Sequence, residues 1–273
     1  MKTIGFIGGG NMAESLIGGL LNSGRKAESI TVYDPDTKRL QYLSDKYGIR
    51  MLESNAEVIN QSDIVLIAVK PQVLKQVALS VADAVQEHKP VVVSIAAGIR
   101  SIDLERWLGG SLAIVRVMPN TPALVSAGAT GMFANDRVSD SQRSDAESIL
   151  RAVGTTVWLE NEGQMDIVTA LSGSGPAYIF RIIEAMEEAA TEAGLPAETS
   201  RLLALETALG AAKLAIEADE SPAELRRRVT SPGGTTEAGL AELEAGRIDD
   251  LFNRTITAAA KRSVELAEQL GAD

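Results

Sequence analysis

The first 160 residues alternate short apolar runs, rich in β-branched residues, with amphipathic stretches. The stretches Asn11–Ser23 and Thr37–Tyr47 have the spacing of surface helices. Continuous apolar strands separated by helices indicate a parallel sheet that helices cover on both faces. The predicted strands are residues 3–7, 30–34, 63–69, 91–97, 112–120, 128–134 and 155–159.

The pattern changes after Glu160, beyond which only helices are predicted. The clearest of them is Pro176–Ala193, with Ser174 as its expected cap and Gly194 at its end. Further helices are predicted at residues 197–218, 222–229, 235–245 and 248–270. We therefore expect two domains: an α/β domain with a doubly wound sheet at residues 1–160 and an all-α domain at residues 161–273.

The predicted helices of the second domain carry apolar residues on several faces, as in AYIFRIIEAM and LLALETALGAAKLAI. One small bundle of roughly 110 residues cannot bury all of that surface. We therefore predict a dimer that intertwines through this domain, with a larger homo-oligomer left open. The alternative is that these helices pack solely on the first domain.

Composition narrows the classes of function. The 273 residues include 37 Asp and Glu against 26 Lys and Arg, a formal net charge of −11, which disfavours nucleic acid as a partner. The absence of Cys excludes disulfides, thiolate metal sites and a cysteine nucleophile. His88, the only histidine, lies in a polar stretch and is expected in a surface loop. Neither a metal site nor a Ser-His-Asp triad is predicted around it.

The start of the chain, MKTIGFIGGGNMAESLIGGLL, does not have the pattern of a secretion signal. Its glycines and Glu14 interrupt any signal-peptide core, and no apolar run in the sequence reaches transmembrane length. We expect a cytoplasmic protein that does not associate with membranes.

The segment IGFIGGGNMA places Gly8, Gly10 and Ala13 at a predicted strand-to-helix junction. In dinucleotide-binding folds the first position permits a tight turn, the second lets the backbone approach a pyrophosphate, and the third allows close helix packing. The helix N-terminus then offers free amides to the phosphates. This context predicts a Rossmann-type dinucleotide site, and the alternative is a purely structural turn.

Asp34 ends the second predicted strand. An acid at this place accepts hydrogen bonds from the adenosine ribose of NAD and repels the 2′-phosphate of NADP. Lys38 and Arg39 follow it and could offset that repulsion. The residues therefore favour NAD or dual use, and they leave the preference open.

Two later strands end at the edge of the sheet where ligands of this fold bind. One runs into Ala68–Pro71 and the other into Ile95–Ala97. Lys70 could face the cofactor or be a solvated loop lysine. The small residues at 95–97 leave room for a nicotinamide ring, although tight turns also use small residues.

Two glycine-rich segments interrupt the helical half: LSGSGPAY at 171–178 and SPGGTTE at 231–237. Successive amides of Gly233, Gly234, Thr235 and Thr236 could form a nest for one carboxylate, with Glu237 capping the helix that follows. The alternative for both segments is an ordinary turn between helices.

Taken together, these segments resemble the pyrroline-5-carboxylate reductase family, the last enzyme of proline synthesis. The chain carries IGFIGGGNM, AVKPQ, SIAAGI, VMPNTPA, LSGSGPAY, GAAK and SPGGTT in the order of that family. The likeness covers essentially the whole chain. LSGSGPAY and SPGGTT are its specific elements, because many dehydrogenases share the glycine fingerprint.

The resemblance implies reduction of Δ1-pyrroline-5-carboxylate, a cyclic imine, to proline by NADPH or NADH, without a metal. It implies that the amides of Gly234, Thr235 and Thr236 hold the substrate carboxylate and that the Thr236 hydroxyl, the expected catalytic group, bonds the ring nitrogen. Gly233, Ser174 and Asn120 complete the expected substrate site. The cofactor residues that the resemblance implies are Ile7, Gly8, Gly9, Gly10, Asn11, Met12, Asn55, Ala68, Val69, Lys70, Pro71 and Asn120. The strand ends considered above add Asp34, Ile95, Ala96 and Ala97. Asp34 departs from the small polar residue that many members carry nearby, so the cofactor preference stays open.

A protonated iminium is already a good hydride acceptor, so positioning is expected to supply much of the acceleration. The proton is expected to come from water or from the pre-protonated imine. Two other functions stay open. A β-hydroxyacid dehydrogenase would need an asparagine near a catalytic lysine, and Lys213 lacks one in the LAIEA that follows it. A non-catalytic dinucleotide-sensing protein would not need the intact SPGGTT segment.

Overall fold

The computed structural model describes residues 2–272, so Met1 and Asp273, the outer ends of the two predicted domains, lie outside it. The chain divides into two compact units. The first comprises the residues up to Ser174 together with those from Ala258 onward, and the second comprises Gly175–Thr257. The predicted boundary at 160/161 follows the end of the last strand. The packing instead keeps the segment up to Ser174 with the sheet.

Between residues 2 and 272, eight strands form one sheet in the order β3-β2-β1-β4-β5-β6-β7-β8. The strands are β1 (Ile4–Ile7), β2 (Ile30–Tyr33), β3 (Arg50–Met51), β4 (Ile64–Ile67), β5 (Val91–Ser94), β6 (Ile114–Met118), β7 (Gly128–Ala134) and β8 (Gly154–Trp158). All seven predicted strands are confirmed. The short, exposed β3 was not predicted, because its two residues carry no apolar run.

The expectation of an entirely parallel sheet is wrong at one place, because β7 runs antiparallel to β6. The residues between these strands contain a 3-10 turn, Thr121–Val125. Such a connection is too short for the crossover that a parallel pair requires. β8 then pairs with β7 in parallel, after a crossover through a helix.

The helices of the first unit cover both faces of the sheet. They are α1 (Asn11–Asn22), α2 (Thr37–Tyr47), α3 (Asn55–Asn60), α4 (Pro71–His88), α5 (Ser101–Trp107), α6 (Asp140–Arg151) and α7 (Gln164–Val168). His88 is the last residue of α4 and not a loop residue as expected; its Nε2 lies 3.1 Å from the Ser62 carbonyl oxygen. That contact fixes where the helix meets the start of β4.

Alternate residues of the central strands enter two separate cores, because side chains of a strand point to opposite faces in turn. Leu66 and Val93 lie in one core with α1, α2 and α6, whereas Ile67 and Val92 lie in the other with α3, α4 and α5. The central strands are buried on both faces, which is why they read as continuous apolar runs.

The second unit contains α8 (Gly175–Glu192), α9 (Ala197–Glu217), α10 (Pro222–Arg228) and α11 (Thr235–Ala245). The last helix, α12 (Ile248–Gly271), begins in this unit and ends in the first. Ser174 does not cap α8 as expected: it has helical dihedral angles and continues a π-helical turn, Thr169–Gly173, into α8. Between Lys2 and Ala272, the structure contains no helix long and apolar enough to cross a membrane.

Large apolar side chains of the second unit are exposed. Phe180 is 64% exposed and Ile216 is 83% exposed, and α8 has no buried residue among those that the structure describes. A single copy of this unit therefore leaves much of its apolar surface in water, as the sequence pattern predicted.

Candidate active site

The first βα turn is closed by Gly8. Its amide donates a hydrogen bond of 2.8 Å to the Tyr33 carbonyl, and its φ of +98° lies in the left-handed region. A Cβ at Gly8 would stand 2.7 Å from the carbonyl oxygen of Ala68 at the end of β4. Both the dihedral angle and the close approach of the backbone therefore require glycine here.

Gly10, in contrast, has no packing reason to be glycine. A Cβ built at Gly10 would meet no atom within 4 Å among the residues that the structure describes. Gly10 is the N-cap of α1, and no side chain of residues 2–272 caps this helix. The first amides of α1 therefore have no side-chain cap within the described residues, as a phosphate-binding turn requires.

Asp34 braces the glycine turn. Its Oδ2 accepts a hydrogen bond of 2.8 Å from the Gly9 amide, and its Oδ1 accepts one of 2.9 Å from the Asp36 amide. Arg39 holds the other side of the turn, because its Nε donates to the Gly9 carbonyl at 2.5 Å. The predicted ribose acceptor is therefore also a structural partner of the loop that it was expected to serve.

A polar cluster that the sequence did not predict joins α1 to α2 beside this turn. The Glu14 carboxylate accepts hydrogen bonds from Arg39, Lys46, Tyr42 and Tyr47, and its side chain is only 16% exposed. Burial by itself raises the pKa of the Glu14 carboxyl, but the hydrogen bonds from Lys46, Arg39 and Tyr42 outweigh it and lower that pKa to about 2. Glu14 thus stays ionised and holds Arg39 against the glycine turn.

The other predicted cofactor segments lie at the same edge of the sheet. The Ala68 amide donates to the Ile7 carbonyl at 2.8 Å, and the Ile95 amide donates to the Ile67 carbonyl at 3.3 Å. Strand order reverses between β1 and β4, which is where ligands of doubly wound sheets bind. The structure thus brings the first βα turn, residues 68–71 and residues 95–97 to one crevice.

Two predicted cofactor contacts at this edge have polar side chains without a hydrogen-bond partner within the described residues. Asn55 is the first residue of α3, which Ser54 caps, and Lys70 is the exposed N-cap of α4. Neither side chain has a hydrogen-bond partner within residues 2–272. Both remain candidates for ligand contacts.

Asn120, a predicted cofactor and substrate contact, holds protein segments together at the end of β6. Its Nδ2 donates to the Ser172 carbonyl at 3.0 Å and its Oδ1 accepts from the Ala129 amide at 2.9 Å. Nearby, a Cβ on Gly173 would stand 2.5 Å from Cε of Met118. The hydrogen bonds of Asn120 and the close approach of Gly173 to Met118 hold the π-helical turn against the end of β6.

The π-helical turn itself lies in the LSGSGPAY segment. The Ser174 amide donates to the Thr169 carbonyl at 2.8 Å, the wide spacing of a π turn. Such turns occur frequently at functional sites because they displace one residue from the regular helix. The Ser174 hydroxyl has no hydrogen-bond partner in the described part of the chain, which leaves it available to a ligand.

The SPGGTTE segment forms a tight turn that opens α11. The Gly234 amide donates to the Ser231 carbonyl at 2.9 Å, and the Gly233 amide donates to Oε2 of Glu237 at 2.7 Å. Gly233 has a φ of +70°, which favours glycine. Two of the four amides predicted to form a nest thus already have protein partners, which corrects that expectation.

The amides of Thr235 and Thr236 remain, because they lie in the first turn of α11. Both threonines are exposed, and neither hydroxyl has a hydrogen-bond partner within the described residues. An anion at this helix end would meet those two amides, the positive end of the helix dipole and two free hydroxyls.

Among residues 2–272 there is no group of three or more His, Asp or Glu side chains that could hold a metal ion.

Two family models match the chain. Residues 162–266 match the model described as pyrroline-5-carboxylate reductase dimerisation, and residues 3–98 match that described as NADP oxidoreductase, coenzyme F420-dependent. The first match includes the exposed helices of the second unit, and the second includes the glycine turn and the strand ends around it.

Curated relatives match over nearly the full length. A pyrroline-5-carboxylate reductase of Pseudomonas aeruginosa is 48% identical and covers 98% of each chain. A solved pyrroline-5-carboxylate reductase of Coxiella burnetii is 45% identical, with a TM-score of 0.94 over 97% of this chain and 98% of the other. That of Plasmodium falciparum, solved with NADP bound, is 30% identical with a TM-score of 0.86 over 97% of this chain and 98% of the other. The chain belongs to the pyrroline-5-carboxylate reductase family.

Proposed function

We propose that this protein reduces L-1-pyrroline-5-carboxylate to L-proline with NADPH or NADH, the final step of proline synthesis. The observation that carries this proposal is the first turn of α1, whose amides have no side-chain cap within the described residues and which has open space beside Gly10. The chain also matches these reductases over nearly its whole length. Family membership also removes the reason to pursue a hydroxyacid dehydrogenase or a non-catalytic sensor.

The cofactor is proposed to lie along the crevice of the sheet, and the residues present fit it. Gly8 and Gly10 shape the turn, and the α1 amides would bind the pyrophosphate. Asp34 and Asn55 would contact the adenosine ribose, and the segment Ala68–Pro71 would flank the cofactor. The other residues assigned to this site are Ile7, Gly9, Asn11, Met12, Ile95, Ala96, Ala97 and Asn120. Asn120 is also proposed to contact the substrate. When bound, the reduced nicotinamide supplies the hydride.

The substrate carboxylate is proposed to bind at the start of α11. The amides of Thr235 and Thr236 and the helix dipole would hold the anion, while Gly233 and Gly234 set the turn that exposes them. The Thr236 hydroxyl would bond the ring nitrogen and orient its proton. Ser174, whose hydroxyl is free within the described chain, is the second proposed substrate contact.

The chemistry asks little acid–base work of the protein. Addition of a hydride to the carbon and a proton to the nitrogen converts the C=N bond to the amine. A threonine hydroxyl is a poor acid at neutral pH, so we propose that the proton on nitrogen comes from water or is already present on the protonated imine. Positioning of the ring then accounts for much of the rate, since well-oriented reactants can gain ~7–11 kcal/mol.

The protein is proposed to act as a homo-oligomer whose dimer forms through α8 and α9. The exposed Phe180 and Ile216, and the dimerisation model that matches residues 162–266, support this assignment. The residues 1–160 and 161–273 are the proposed cofactor-binding and substrate-binding domains. A cytosolic location, with neither nucleic acid nor membrane as a partner, agrees with the absence of cysteine and the charge of −11.

Initial rates with pyrroline-5-carboxylate and each reduced dinucleotide test the proposal directly. We expect oxidation of NADPH or NADH with formation of an equal amount of proline. The control is a β-hydroxyacid with NAD or NADP, for which we expect no turnover. Turnover of the hydroxyacid without turnover of the imine would refute the proposed function.

A further inference from the structure

One ion pair of the first unit, with a buried arginine and a partly exposed glutamate, joins β6 to the segment before α7, at the sheet edge that carries the proposed nicotinamide site. Arg116 points from β6 and is only 3% exposed, and its Nη1 donates to Oε1 of Glu162 at 3.0 Å. Burying the charge of Arg116 is costly, and a well-packed apolar pair often stabilises a fold as well as an ion pair or better. Stability alone therefore gives a weak reason for charges at this place.

Glu162 makes two further bonds, both to Ser101. Its Oε1 accepts from the Ser101 amide at 2.6 Å, and its Oε2 accepts from the Ser101 hydroxyl at 2.6 Å. Ser101 is the first residue of α5, and the N-cap of that helix, Arg100, makes no side-chain cap within the described residues. Glu162 thus caps α5 from a segment 61 positions away along the chain.

The carboxylate of Glu162 joins three segments that flank one place. Ser101 follows the loop at residues 95–98, and Arg116 pairs in register with Ser94 and lies two residues before Met118 at the end of β6. Glu162 itself precedes α7 and the π-helical turn Thr169–Gly173. A single side chain therefore sets the relative positions of the loop at residues 95–98, the end of β6 and the π-helical turn that Asn120 holds against β6.

We infer that Glu162, held by Arg116, is a positioning residue that fixes the loop at residues 95–98 for the nicotinamide half of the cofactor. The inference rests on the proposed function, because that function places the nicotinamide at this loop. Glu162 is not among the residues proposed to contact substrate or cofactor. Its effect passes through Ser101 to the loop, while the adenosine half is held separately by the glycine turn.

The test compares two ligands that differ by the nicotinamide ring. In Glu162→Gln the amide NH2 cannot accept from Ser101, and Arg116 loses its counter-charge. We expect the Kd of NADPH to rise roughly tenfold, as for the loss of a hydrogen bond to a charged group. The Kd of 2′-phospho-ADP-ribose, which lacks nicotinamide, should not change. NADH and ADP-ribose serve as the second matched pair.

Glu105→Gln is the matched control. Glu105 lies on α5, the helix that begins at Ser101, and is 24% exposed against 21% for Glu162. It likewise pairs with an arginine, Arg137, and accepts from a backbone amide, that of Leu112. We expect it to bind all four ligands as the wild type does. Equal losses for the ligands with and without nicotinamide, in Glu162→Gln, would overturn the inference, as would unchanged binding of both.

A second variant covers the case that Glu162→Gln does not fold. Arg116→Met combined with Glu162→Leu removes both charges together, which proteins tolerate well when the volume is kept. We expect this variant to fold but still to bind the nicotinamide-containing ligands more weakly, because Ser101 has lost both hydrogen bonds to Glu162. Wild-type affinity for NADPH in the double variant would contradict the positioning role. Since these are binding measurements, they remain informative if the wild type fails to turn over the imine, which would instead refute the proposed function.

Discussion

The amide of Gly9 donates a 2.8 Å hydrogen bond to the carboxylate of Asp34, so the acid at the end of β2 holds the glycine turn that lies beside it. The second carboxylate oxygen of Asp34 binds the Asp36 amide. A residue expected to choose between cofactors through its charge therefore also shapes the turn at which the pyrophosphate is proposed to bind. Substitutions at this position have two effects that an experiment must separate.

Asp34→Ser should shift the ratio of kcat/KM values toward NADPH, because it removes a negative charge from the region of the 2′-phosphate. It should also lower kcat/KM with both cofactors by about tenfold, since the Gly9 amide loses its charged partner. Steady-state kinetics with NADPH and NADH measure both effects. Asp45→Ser is the control, because among residues 2–272 the side chain of Asp45 bonds only to Gln41. An unchanged ratio would show that the charge of Asp34 does not set the preference.

Gly8→Ala and Gly10→Ala should fail in different ways. At Gly8 the new Cβ meets the Ala68 carbonyl at 2.7 Å with φ at +98°, so we expect about 2–4 kcal/mol of destabilisation. At Gly10 the Cβ meets open space, so the free energy of unfolding should fall by less than about 1 kcal/mol. Cofactor affinity of Gly10→Ala should nevertheless fall roughly tenfold or more, because the Cβ occupies the phosphate position. Chemical denaturation and cofactor titration distinguish the two variants, and full cofactor affinity in Gly10→Ala would count against a phosphate at this turn.

Thr236→Ala should lower kcat/KM for the imine by roughly one to two orders of magnitude, about the loss of one hydrogen bond to a charged group. Thr236→Ser keeps the hydroxyl and should retain most of the activity. The dissociation constant of NADPH should not change in either variant. Full activity of Thr236→Ala would remove this hydroxyl from the mechanism.

Glu14→Gln should destabilise the protein at neutral pH and not in strong acid. The folded pKa of about 2 lies below the ordinary value of 4.5, so the ionised group contributes stability above pH 4.5 that is lost as the pH falls toward 2. The difference between wild type and variant should be on the order of 1–3 kcal/mol at pH 7. Urea denaturation at several pH values measures it. A difference that does not shrink between pH 4.5 and pH 2 would contradict the ionised role of Glu14.

Phe180→Glu should reduce the assembly size, because a charge would enter the apolar surface that α8 exposes. Light scattering at several protein concentrations gives the size. Val73→Glu alters an apolar side chain that is 44% exposed in the first unit and should leave the size unchanged. Equal assembly sizes for Phe180→Glu and the wild type would exclude this face from the interface.

The sequence alone was sufficient for features that depend on neighbouring residues. Apolar runs predicted all of the longer strands, and the period of apolar positions predicted the helices of both halves. Gly8 predicted the tight βα turn, because such a turn and the close approach of its backbone to β4 both depend on local backbone geometry. The sequence likewise predicted the exposed apolar faces of α8 and α9, because apolar residues occur on several faces of these helices.

Tertiary structure alone decided which polar groups meet. Asn120 forms hydrogen bonds with Ser172 and Ala129. Glu162 accepts hydrogen bonds from Ser101 and Arg116, and Glu14 accepts them from cationic side chains of α2. All of these contacts except that of Asn120 with Ala129, which spans 9 positions, join segments at least 25 positions apart in the chain. The direction of β7 depends on the connection that precedes it. Periodicity and turn chemistry report backbone conformation over a few residues. The partner of a buried amide or carboxylate is fixed only when distant strands and helices pack together, because burial obliges the group to bond to whatever polar atom the fold brings within reach.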